Sequence, residues 1–362
     1  MHFPGSRRPA LLVVLGALSL LAALWAALDR IGVDMPGLPV PVVANHGALM
    51  IGGFLGTLVS LERAVALGKR WGYLAPLLSA LGALALTTGL PEIPARALLA
   101  LSALVLVAIF VVFFRRQPAA YVATMGVGAL LWLTGNTLWT AGIPILQVVP
   151  WWAGFLVLTI AGERLELSRL VRVGRTGRIT FNAAVALVVL GLVLTRLALT
   201  LGLAMSGAGL LGLGLWLLRN DIARRTIRLS GLPRFIATCL LPGYGWLALG
   251  GALWLVAGAA YSTSPFIYDA MLHSLFLGFV VSMTFGHAPI ILPAVLHIGV
   301  TYRPQFYIHL VLLHLALLLR VVGDLLMVPS WRLWGGVLNV AALLIFLPLM
   351  ILSVQRSKKV AG

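Results

Sequence analysis

Seven histidines supply most of the metal-ligating chemistry in this chain of 362 residues. His2 lies in the N-terminal tail, while His46 and His273 each stand six or seven residues inside an apolar run. His287 follows His273 by 14 residues, about 21 Å of rise on a helix, with both side chains within ~40° of one face. His297 closes the same run. His309 and His314 are five apart, a rotation of ~140°, so they do not face one metal together. A neutral imidazole ligates haem iron, and two facing helices can supply both axial positions. His46 with His273 is the pair best suited to that task. His287 with His309 or His314 offers a weaker second centre, and Met50 and Met283 stand near histidines as soft donors or as packing. Haem propionates call for cations near the outer surface, and Arg196 and Arg320 lie close to run ends there. Arg320 is also four residues from Asp324, the spacing of an ordinary helix-face pair.

These side chains need elements that hold them in an apolar solvent. The sequence is 61% apolar and 10% charged, against roughly 25% charged in a soluble domain, so lipid must surround it. A spanning helix takes about 20 apolar residues. Such runs lie near 9–29, 40–62, 73–90, 96–114, 119–143, 147–165, 178–199, 201–218, 235–260, 267–296, 305–325 and 333–354. They are too long for the ~10-residue alternating strands of a membrane β-barrel. Numbered in that order, twelve spans put 21 of the 26 basic residues on one side, leaving only Arg30, Arg96, Arg196, Arg320 and Arg332 on the other. Basic loops stay inside. The expectation is an all-α polytopic protein with about twelve transmembrane helices in a bacterial inner membrane. It forms a single transmembrane domain over 1–362, with both termini cytoplasmic. The net charge of +17 then reflects this bias and anionic lipid headgroups. Nucleic-acid binding, which wants a basic patch on a polar surface, is not expected. Cys239, inside a span, reads as packing.

A threefold echo runs through the spans. Gly53-Phe54-Leu55 precedes Glu62-Arg63, Gly154-Phe155-Leu156 precedes Glu163-Arg164, and Gly278-Phe279-Val280 precedes His287, each nine residues after the glycine. The three spans are four helices apart, which suggests pseudo-symmetric four-helix units 1–115, 116–218 and 219–362. Glu62-Arg63 and Glu163-Arg164 read as local ion pairs near the inner surface, or as a proton path toward His287. Two further readings compete with a haem protein. Leu241-Pro242-Gly243, Pro289 and Pro293 interrupt spans, as the broken helices of a proton-coupled secondary transporter do, although bundles also tolerate plain proline kinks. A structural subunit of a respiratory membrane complex is the other.

Three stretches bring a family into view. Asn45-His46-Gly47-Ala48-Leu49-Met50 leading to Gly53-Phe54, His273-Ser-Leu-Phe-Leu-Gly278 followed by Met283, and His297-Ile-Gly299 on to Leu319-Arg320-Val321 resemble motifs of the NnrS family. The likeness covers nearly the whole chain in layout and spans two, ten and eleven in motif. It implies a twelve-span haem- and copper-containing membrane protein linked to nitric oxide and other nitrogen oxides, or to electron transfer. More distantly, the layout is similar to the haem-copper oxidase subunit I core, where histidines of helices two and ten hold the low-spin haem. His46 and His273 match those helices. The departures matter too. Where the NnrS motif has a second histidine and a glutamate, this chain has Ala48 and Leu49, and spans six and seven contain no histidine. What carries over is one haem, of b type, with a second as an alternative; copper lacks its ligand set. A redox partner or a larger membrane complex is the expected protein partner.

Overall fold

Nothing in a bilayer core can hydrogen-bond a bare backbone, so apolar runs of this length must close their N–H and C=O groups within helices. The computed structural model describes residues 7–37, 40–88, 91–168 and 173–355. They are all-α; the only extended pieces among them are Gly299–Val300 and Val354–Gln355. The long helices are α1 (Arg7–Arg30), α2 (His46–Leu67), α3 (Leu74–Thr87), α4 (Glu92–Arg116), α5 (Ala120–Thr140) and α6 (Ile145–Leu167). They continue with α7 (Arg175–Leu194), α8 (Leu199–Asn220), α9 (Gly231–Ala257), α10 (Pro265–Leu296), α11 (Phe306–Leu325) and α12 (Pro329–Leu352). Each expected run overlaps one of them.

Ten helices among the described residues are long and apolar enough to cross a membrane, and the chain is a polytopic membrane protein. The other two fall short for different reasons. Helix α3 has 14 residues, about 21 Å against a hydrocarbon core of ~30 Å. Helix α5 has 21 residues but carries four threonines and Asn136. Its threonine and asparagine side chains are nonetheless bonded within the protein. Thr124, Thr134, Thr137 and Thr140 each donate to the carbonyl four residues back. Asn136 donates to the Leu99 carbonyl and accepts from the Trp152 indole.

The chain divides into two compact units, one built from residues up to Phe155 with Ile290–Gly299, the other from Leu156–Pro289 and Val300–Val354. In the first, Leu12, Leu61, Ala80 and Val295 form a buried cluster, and Trp132 stacks on Phe155 at 4.7 Å. In the second, α8 packs closely against α9 through glycine. A Cβ on Gly207 would stand 2.4 Å from the Leu255 nitrogen, and one on Gly251 2.3 Å from the Leu211 nitrogen. Without a hydrophobic drive between helices in lipid, such backbone approach is what holds a pair together.

The prolines do not unwind their helices: α9 runs through Pro242 and α10 extends past Pro289 and Pro293. The departures from α geometry lie elsewhere. Leu49–Gly56 in α2 and Ser274–Val281 in α10 are π-helical, a form that occurs mostly as single turns within α-helices and frequently at functional sites. Each contains its Gly-Phe pair and begins within three residues of a histidine, His46 or His273. Helix α6, which carries Gly154-Phe155, is a regular α-helix, so the backbone echoes at two of the three places.

Candidate metal-ligand histidines

His273 ends the α-helical first part of α10, and its support comes from its own helix and from α11. Its Nδ1 lies 3.0 Å from the Asp269 carbonyl oxygen, one turn back. A carbonyl only accepts, so Nδ1 carries the proton and Nε2 the lone pair. The Asp269 carboxylate adds a second oxygen at 3.3 Å. That carboxylate is itself fixed: Arg320 grips it bidentately, Nε to Oδ2 at 2.6 Å and Nη2 to Oδ1 at 2.8 Å. Arg332 reaches Asp269 at 3.4 Å and Asp324 at 3.5 Å, and its guanidinium sits over the Phe266 ring. Asp269, Arg320 and Asp324 are buried. Two carboxyl groups thus meet two guanidinium groups in a largely buried cluster, and a buried charge needs such a partner. The imidazole stays 19% exposed, and its Nε2 has no protein partner among the described residues. An orienting carboxylate behind a histidine whose other nitrogen is available is the usual second shell of a metal-ligating imidazole.

His46 belongs to the first unit and shows the same tautomer by a different route. Its Nδ1 donates to the Ala23 carbonyl of α1 at 2.8 Å, placing the lone pair on Nε2. Its neighbour Asn45 donates to Glu92, which pairs with Arg96; Arg96 in turn lies 4.7 Å over the Trp139 ring. An acid–arginine pair therefore backs the segment that carries each of these two histidines. In Gly-Phe register, His273 corresponds to Ala48 and His46 to Met271. The histidines are displaced by two positions within the echo rather than superposed in it.

The remaining candidates separate clearly. His287 donates from Nδ1 to the Met283 carbonyl at 2.8 Å, and its Nε2 meets the Arg164 guanidinium at 3.4 Å. A fixed cation at that nitrogen opposes a metal there. His314 accepts the Trp246 indole N–H on Nδ1 at 3.0 Å and donates from Nε2 to Ser282, which donates to the Cys239 carbonyl. Both its nitrogens are spent. His309 is 1% exposed with neither nitrogen hydrogen-bonded, boxed by Phe235, Phe285, Phe306 and Phe346. Among the described residues no group of three or more His, Cys, Asp or Glu could hold a metal ion; an axial pair on haem asks for two protein ligands only. Arg196 is exposed at the turn between α7 and α8. Arg320 commits its fork to Asp269, 51 residues away, rather than to the helix-face partner Asp324. Met283 packs its methyl against Gly243.

Two functional-looking carboxylates escape a reading of spans. Asp269 stands one turn before His273, a spacing that was visible. Asp221 takes Arg164 bidentately at 2.8 and 2.9 Å, so Arg164 spends its fork on a partner 57 residues away rather than on its neighbour Glu163. Only its place as the single acid in an arginine-rich connection singles Asp221 out. Glu62 pairs locally with Arg63 at 3.3 Å. The family described as Domain of unknown function (DUF8744) matches residues 8–355 of this sequence. No curated protein matches it.

Proposed function

We propose that this chain, which belongs to the DUF8744 family, is a haem-binding protein of NnrS-like type, with His273 as a residue that would hold the haem iron. The observation that carries this reading is His273: Nδ1–H held by Asp269, Asp269 held by Arg320, and Nε2 left with its lone pair. The donor set suits haem iron, which takes imidazole nitrogen readily. Bound there, a b-type haem would supply a one-electron centre, or an iron able to bind a nitrogen oxide. The chain's part is to fix the imidazole of His273 in one tautomer and one orientation, through Asp269.

The setting we propose is a bacterial inner membrane crossed twelve times, with α3 and α5 as the two additional spans and both termini inside. Support comes from the basic residues, 21 of 26 on one side under that threading, and from the internal bonding of the threonines and Asn136 of α5. A transporter would want an unwound helix at mid-membrane; the unbroken course of α9 and α10 gives that reading no support.

Optical spectra of the purified protein, oxidised and reduced, test the proposal. A Soret band should be present, and His273→Ala should abolish or shift it. A protein without a Soret band after expression with haem supplied, or a variant indistinguishable from the parent, would overturn it.

A further inference from the structure

The connection between α8 and α9 concentrates charge in a way no pairing within the protein explains. Between Arg219 and Arg234 it holds five arginines and one acid, Asp221. That acid is turned inward, bonded to Arg164 and to the Ala223 amide, so it neutralises none of them. Among the described residues Arg219, Arg224 and Arg228 have no carboxylate partner, and all three are exposed. They line a recess of about 610 Å³ together with Leu215, Leu218 and Leu241. A second recess of about 550 Å³ shares Ile227 with the first and adds Arg234, Ser230 and Tyr302.

Cations above leucines at the end of two membrane helices are complementary to one kind of molecule. We propose that this recess is a binding site for an anionic phospholipid. Its phosphate lies among Arg219, Arg224 and Arg228, and its acyl chains run down Leu215, Leu218 and Leu241. A free phosphate would use the arginines but not the leucines. A zwitterionic lipid would cover the leucines but leave the cations uncompensated. Basic recesses between membrane helices bind acidic headgroups on this principle, with each near-surface cation contributing about 1 kcal/mol. The site is independent of the haem reading and stands or falls by itself.

The test is binding of phosphatidylglycerol to the purified full-length chain in neutral detergent, read by melting temperature and by lipid phosphorus retained after washing. Phosphatidylcholine and inorganic phosphate serve as the other arms. Arg219→Gln/Arg228→Gln, which removes neither an ion pair nor a hydrogen bond, should bind phosphatidylglycerol about 30-fold more weakly, the factor for two cations at ~1 kcal/mol each. Arg115→Gln/Arg116→Gln, at the basic end of α4, should bind like the parent. If the first variant fails to fold, the parent itself decides. Raising salt from 0.1 to 1 M shortens the screening length from ~10 to ~3 Å and should weaken binding markedly. Equal stabilisation by phosphatidylcholine or by phosphate, equal loss in both variants, or salt-independent binding would each overturn the proposal.

Discussion

Replacing Asp269 by asparagine separates two roles that the structure gives to one side chain. The cluster of Asp269, Asp324, Arg320 and Arg332 sets two carboxyl groups against two guanidinium groups. Asp269→Asn keeps the shape but leaves one guanidinium without its counter-charge, and both Asp269 and Arg320 are less than a tenth exposed. Removing one partner of a buried pair costs about 3–5 kcal/mol. Adding Arg320→Met restores the balance of one acid and one arginine, so Asp269→Asn/Arg320→Met should recover stability to within about 1 kcal/mol of the parent. Haem affinity should behave differently. The carboxylate behind His273 is lost in both variants, and loss of such a partner costs ~10–100-fold in metal affinity. Unfolding in detergent measures the first quantity, and haem titration followed at the Soret band the second. A double variant that regains both stability and haem affinity would refute the orienting role of Asp269. A single variant as stable as the parent would refute the desolvated charge balance.

Two further perturbations check the packing. Arg164→Met strands a fully buried Asp221 and should cost about 3–5 kcal/mol in detergent unfolding, while Arg164→Met/Asp221→Leu should recover most of it; additive losses would show that the pair is not coupled. Gly251→Val puts a side chain where a Cβ already lies 2.3 Å from the Leu211 nitrogen. It should destabilise the protein by about 1–3 kcal/mol or more, seen as a lower melting temperature and a smaller monodisperse fraction in gel filtration.

What the sequence discloses follows from which forces act along the chain and which act across it. Apolar run length is local, so each of the expected spans overlaps a helix. The π segments are different. Nothing in the residue types of Leu49–Gly56 or Ser274–Val281 announces an extra residue per turn. They become intelligible only with their neighbours in place: Ser19 and Ser79 donate to the Leu49 and Gly52 carbonyls, and Trp246 lies where a Cβ on Gly278 would be, 2.4 Å away. The histidines divide on the same line. His309 and His314 look alike in sequence, yet one is boxed by phenylalanines and the other is consumed by Trp246 and Ser282.

Charge shows the limit most sharply. Counting basic residues by loop treats Arg164 as a topology signal, but it is 3% exposed and bound to Asp221. Arg320 and Arg332, counted on the opposite side, are spent on Asp269 and Asp324. Three of the nine acids therefore lie buried against three arginines. A carboxylate survives inside this protein where a guanidinium meets it, since an unpaired charge in lipid is costly. The cost of that arrangement falls on the surface. With these acids turned inward, the arginines beyond α8 face the membrane interface uncompensated, and the same pairing that stabilises the interior leaves a cationic rim for acidic lipid to neutralise.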